Sequence, residues 1–272
     1  MLLEGTTVKS SFHLIALGIL LLTGCGDLCP TDHEELTEGI TAGYFLASDG
    51  QTGKELWRTD GTTGGTYRVR DINPGPDSAR PMNLFLHEDM LLFAGNDGSS
   101  GFELWCSDGS EQGTRLIKDI NPGPDSSYPL FMVRLQNRVL MAADDGDVGK
   151  ELWATDGTAG GTILLRDINP GREGARPHYL TRVGDRVFFA ADDGIHGREL
   201  WISDGTASGT RLLKDINRGR SSSHLAHFSE VDGLLFFRAD DGRHGRELWV
   251  SDGTTEGTRM VRDINPGSLP ST

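Results

Sequence analysis

Trp57, Trp105, Trp153, Trp201 and Trp249 are the only tryptophans of the chain, and each stands 48 residues after the one before. An unbroken register of this kind marks a stack or ring of equivalent structural units. The same phrase returns around every Trp. In the fourth copy Glu199, Leu200 and Trp201 lead to Asp204, Gly205 and Thr206, then to Gly209, Thr210, Asp215, Ile216, Asn217 and Gly219. Five near-equal copies leave little room for one asymmetric catalytic centre, so the pattern speaks to architecture before chemistry.

Within a copy the apolar residues come in strand-length bursts with no sustained helical period. In the fourth copy the bursts are 179–183, 186–190, 199–202 and 210–216. Between them lie Gly184, the Asp192-Asp193-Gly194 run, Asp204-Gly205 and Asn217 to Gly219, residues that cap turns or take positive φ. Four strands and four turns fill each unit. Four antiparallel strands repeated in register predict an all-β, five-bladed β-propeller spanning 33–268, its ring closing the sheet edges that an open row would expose. The copies phase on Leu36, Leu84, Met132, Leu180 and Phe228, which places the first strand of the first blade around Leu36. A small four-stranded sheet hides its faces only against neighbours. Trp57, Trp105, Trp153, Trp201 and Trp249, with Phe45, Phe93, Met141, Phe189 and Phe237, are the expected interblade packing set.

The phrase Glu-Leu-Trp-x-x-Asp-Gly-Thr, at 55–62, 151–158, 199–206 and 247–254, resembles the ELWxxDGT repeat family of bacterial secreted and surface proteins; the second copy ends in Ser110. The resemblance covers about residues 33–267 and implies an exported bacterial repeat protein. In layout and unit length the chain is also similar to the tachylectin-type lectins, which implies one sugar site per blade. That likeness concerns architecture, and it assigns no residues.

The first thirty residues lie outside the period. An apolar run, Ile15 to Leu22, is short for a membrane span and reads as the core of a signal peptide over residues 1–24. It ends in Leu22-Thr23-Gly24-Cys25, which resembles the lipobox of bacterial lipoproteins and implies lipidation of Cys25. Residues 25–32 then form a short linker and 269–272 a tail. The expected location is the bacterial cell envelope, with the lipid as the only membrane attachment and the choice of inner or outer membrane open. Cys106 occupies the place held by Arg58, Ala154, Ile202 and Val250, an ordinary strand substitution. A net charge of −14 argues against nucleic acid as a partner.

Two acidic turn positions recur in every copy. Asp49, Asp97, Asp145, Asp193 and Asp241 form one set; Asp60, Asp108, Asp156, Asp204 and Asp252 form the other. Hard oxygen ligands of this kind suit calcium. Asp-Gly is also what tight turns require for backbone reasons, and the EF-hand order is missing. The fold itself requires no cofactor, and calcium is the ion these turns would hold. A Glu precedes every Leu-Trp, at 55, 103, 151, 199 and 247. It can pair with a cation at the preceding turn or accept turn amides. No Gly-x-Ser-x-Gly elbow, HExxH pair or phosphate-cradling loop stands out.

Constant spacing also leaves no long insertion to build a catalytic site on. The expectation is a monomeric, non-enzymatic binding module of the envelope that meets a glycan or an envelope or extracellular protein multivalently. A purely structural scaffold is the alternative, and an enzyme with a shallow axial pocket the third reading. Most aromatic residues fit core positions in this scheme.

Overall fold

A computed structural model describes residues 20–23 and 40–267. Cys25, the linker, the segment around Leu36 and the tail fall outside the described residues. Among the described residues twenty strands are arranged as five four-stranded antiparallel sheets, each a chain-order meander. The first blade contains β1 (Leu20–Thr23), β2 (Ile40–Ala47), β3 (Glu55–Thr59) and β4 (Tyr67–Arg70). The second contains β5 (Met82–His87), β6 (Met90–Asn96), β7 (Phe102–Ser107) and β8 (Arg115–Lys118). The third contains β9 (Leu130–Leu135), β10 (Arg138–Asp144), β11 (Lys150–Thr155) and β12 (Ile163–Arg166). The fourth contains β13 (His178–Val183), β14 (Arg186–Asp192), β15 (Arg198–Ser203) and β16 (Arg211–Lys214). The fifth contains β17 (Ala226–Val231), β18 (Leu234–Asp240), β19 (Arg246–Ser251) and β20 (Arg259–Arg262). This is the five-bladed propeller architecture that the repeat predicts. Strands β5, β9, β13 and β17 lie in succession beside one another and form the inner rim.

One blade departs from the expected phase. The strand paired with β2 among the described residues is Leu20–Thr23, with Leu20 opposite Tyr44, while Leu36 lies outside the described residues. That strand lies within the expected leader, so cleavage before Cys25 would remove it.

Blades join through four apolar clusters, each built from the Trp face of one blade and the Leu face of the blade before. Trp105 packs with Leu56, Trp153 with Leu104, Trp201 with Leu152 and Trp249 with Leu200. The expected ring partners are cross-strand neighbours: Phe189 and Trp201 stand 6.4 Å apart between ring centroids, as do Phe237 and Trp249. A polar clamp runs across the same junctions. Arg70 donates to the carbonyl of Thr114, Lys118 to that of Thr162 at 2.8 Å, Arg166 to that of Thr210 and Lys214 to that of Thr258. Among the described residues four such clusters join successive blades, and none of the four joins the fifth blade to the first.

The repeated Glu has a structural task. Glu55, Glu103, Glu151, Glu199 and Glu247 are fully buried. Each carboxylate accepts at least one backbone N–H from the loop that leaves the outermost strand: Glu151 receives Ile168 at 3.0 Å, Asn169 at 3.0 Å and Ala175 at 2.9 Å, whereas Glu199 receives Ile216 and Glu247 receives Ile264. Burial raises the pKa of Glu151 and of Glu199 to about 7, against the pull of those amides. Of the two roles open to this Glu, acceptance of amides is the one the fold uses.

Candidate functional site

The innermost strands do not run regularly. Between Met82 and Phe85, His178 and Thr181, and Ala226 and Ser229 the register shifts, and an irregularity lies opposite Leu130 as well. At each shift a non-glycine residue takes a left-handed backbone: Asn83, Phe131, Tyr179 and His227, with φ between 56° and 59°. Three residues earlier Arg80, Tyr128, Arg176 and His224 do the same, with φ between 44° and 50°. For bulky side chains this conformation costs on the order of 1–3 kcal/mol and persists only where its surroundings impose it.

The consequence is a row of outward aromatic rings. Tyr128, Phe131 and Tyr179 are each more than 40 % exposed. Phe131 lies 5.0 Å from His178, and Tyr179 lies 5.6 Å from Phe228, measured between ring centroids. Tyr128 stacks on Phe102 at 5.4 Å, with the Lys150 ammonium 5.8 Å from its centroid. Most aromatic residues are expected at core positions, and these three lie outside that majority.

Two clefts open beside the row. One, of about 390 Å³, is lined by His178, Tyr179, Asp192, Arg198, Arg238 and Arg246 among others. The second, of about 320 Å³, is lined by Phe131, Asp144, Lys150, Arg172, Glu173, Arg176 and His178. His178 is the wall they share. Its Nδ1 lies 2.6 Å from the carbonyl of Arg176, and burial lowers its pKa. Since a carbonyl only accepts, Nδ1 carries the proton and the neutral ring keeps Nε2 as an acceptor. Cations outnumber acids in both clefts, although the chain as a whole carries −14.

The two aspartate sets lie elsewhere and apart. Asp49, Asp97, Asp145, Asp193 and Asp241 sit in the turn before the Trp strand; Asp60, Asp108, Asp156, Asp204 and Asp252 sit in the turn after it. The strand between them holds the sets at opposite ends of the blade, so they cannot share an ion. All engage local turn donors. Asp49 accepts the N–H of Gln51 and Thr52, bonds that lower its pKa to about 2. Asp60 accepts the N–H and hydroxyl of Thr62, and Asp108, Asp156, Asp204 and Asp252 repeat the arrangement. In the last two blades the second oxygen also meets a histidine, Asp193 to His196 and Asp241 to His244, both at 2.7 Å. Among the described residues no three His, Cys, Asp or Glu side chains converge as a metal site. Cys106 is buried and unpaired, as a strand substitution would be.

No family model matches this sequence, and no curated protein is similar to it. The fold has many solved counterparts. A puromycin hydrolase is 12 % identical with a TM-score of 0.53, over 85 % of this chain and 36 % of that one. A prolyl endopeptidase is 12 % identical with a TM-score of 0.51, over 80 % of this chain and 32 % of its own. The computationally designed protein Ika8 is 18 % identical with a TM-score of 0.45, over 84 % of this chain and 61 % of that one. The chain thus spans less than two thirds of these structures. What fold and site define together is a repeat-built β-propeller with an aromatic, cation-flanked inner rim. At such identities the likeness shows the fold alone.

Proposed function

We propose that this chain is a binding module of the bacterial cell envelope, held by lipid at Cys25, that takes an acidic glycan along the aromatic row of β9, β13 and β17. The observation that supports the reading is the exposure of Tyr128, Phe131 and Tyr179 at left-handed positions beside clefts rich in Arg and Lys. A sugar ring offers apolar C–H faces that lie on aromatic rings, and hydroxyls that need donors and acceptors around them. A carboxylated or sulfated sugar also meets guanidinium groups in bidentate fashion. Exposed rings on two adjacent blades match a repeating polymer, where several weak contacts add through effective concentration. The ELWxxDGT resemblance and the lipobox-like Cys25 support the envelope location.

The module binds without turnover and without a cofactor in this reading. The test is binding to an array of neutral and acidic polysaccharides, with calcium and again with EDTA, followed by sizing of the recovered polymer. Retention of acidic polymers in EDTA, with chain length unchanged, is the expected result. Binding lost in EDTA would shift the site to the acidic turns, and shortened polymer would make the protein an enzyme. No retention of any polymer would leave the scaffold reading in its place.

A further inference from the structure

Since every junction presses a Trp face against the Leu face of the preceding blade, the first and fifth of the described blades carry the two unlike halves of one joint. Inside the last junction Val183, Leu200, Leu213 and Ile216 are at most 6 % exposed. Their equivalents on the fifth blade, Val231, Leu248, Val261 and Ile264, are 48, 40, 44 and 60 % exposed. Arg262, which stands where Lys214 clamps the Thr258 carbonyl, is exposed and makes no such bond among the described residues. Arg238, the cross-strand partner of Leu248, replaces the Ala of Ala94, Ala142 and Ala190, and its Nε is buried with no acceptor.

The first blade shows the other half. Trp57 is only partly buried, whereas the remaining four tryptophans are buried. A side chain at Gly61 would meet nothing within 4 Å, while at Gly109, Gly157, Gly205 and Gly253 it would meet the preceding blade.

We propose that the free Leu face of the fifth blade receives the first blade of a second copy of this chain, head to tail. The face continues the interface already made four times within the molecule. Among the described residues the chain's own first blade does not pack on this face, and moving it there would disturb close-packed junctions that a second copy leaves alone. Such a contact is heterologous: it closes into a two-copy ring or extends as a filament according to the angle at the joint.

The test is the native mass of the full chain over a range of concentrations, beside that of the Leu248→Asp/Ile264→Asp variant, whose positions are exposed and leave the blade's own core intact. The expected result is a concentration-dependent mass of two or more copies for the parent, falling to one copy in the variant, with unchanged circular dichroism. Hydrogen exchange should then show slower exchange around 247–251 and 259–264 in the assembled parent than in the variant. A one-copy parent would overturn the proposal, whether those segments exchange fast, leaving the face open, or slowly, because the chain closes on itself. Equal masses above one copy for parent and variant would overturn it too, and would point to the apolar run 15–22.

Discussion

Glu151 and Ala175 are 24 residues apart in sequence, and the carboxylate of the first accepts the backbone N–H of the second at 2.9 Å. The same bond pins the long loop to the blade it leaves in the first two blades, where Glu55 takes Ala79 and Glu103 takes Ser127. It sets the direction in which the next blade starts.

Stability should therefore depend on pH in an unusual direction. Glu151 and Glu199 have folded pKa values of about 7, above the ordinary 4.5. Between those values the folded state keeps protons that the unfolded chain releases, so their contribution is full below about pH 4.5 and fades as pH rises through 7. Unfolding free energies from denaturant titrations between pH 5 and 8 should fall by on the order of 2 kcal/mol for each group. Glu151→Gln should flatten part of that slope. A midpoint that climbs with pH would mean that the amides, rather than burial, decide the charge of these carboxyls.

The Trp series separates packing from hydrogen bonding. The indole N–H of Trp153 is buried without an acceptor, as it is in the other four copies. Trp153→Phe forfeits no hydrogen bond and should cost about 1–2 kcal/mol, while Trp153→Ala should cost about 3–5 kcal/mol through the cavity it leaves between the second and third blades. Urea denaturation of both variants checks the difference, and equal losses would show that ring volume is not what the position supplies.

Tyr179 sits at a φ of 59°, which glycine adopts freely. Tyr179→Gly should leave stability within about 1 kcal/mol of the parent, since relief of strain offsets the lost ring contacts. Retention on an acidic polysaccharide column should drop at least several-fold. If retention survives both this change and Phe131→Ala, the aromatic row is not the binding surface.

Retention should also weaken with salt. The clefts carry Lys150, Arg172 and Arg176 on one side of His178, and Arg198, Arg238 and Arg246 on the other. Screening shortens from about 10 Å at 0.1 M salt to about 3 Å at 1 M, so elution of an acidic polymer should come well before 1 M sodium chloride. Elution that ignores salt would point to a neutral ligand held by the rings alone.

His196 provides a local check on the acidic turns. Its hydrogen bond with Asp193 raises the imidazole pKa. In Asp193→Asn the proton affinity of His196 should fall towards the ordinary 6.5, as read by NMR titration. In the parent the pair's contribution to stability is present below that ordinary value and is lost as pH rises through the raised one.

The blades were legible because a 48-residue period and alternating bursts need only the sequence to be seen. Trp faces and turns followed from the same phrase. The aromatic row was not, since Phe131 and Tyr179 lie in strand-like bursts and only the left-handed backbone turns their rings outward. A trace did exist: one repeat position reads Asn83, Phe131, Tyr179 and His227, far more variable than the Trp phrase around it. The task of the repeated Glu was half visible, because its acceptor role depends on a loop that returns 17 to 24 residues later.

The Lys118 to Thr162 clamp and its equivalents join only adjacent units, and each Glu tie stays within its own unit. An in-frame loss or gain of one repeat's worth of codons thus preserves every kind of contact and alters only how many there are. Genes of this design can change length by unequal recombination without passing through an unfoldable intermediate, and length variation among strains is where that freedom would leave its mark.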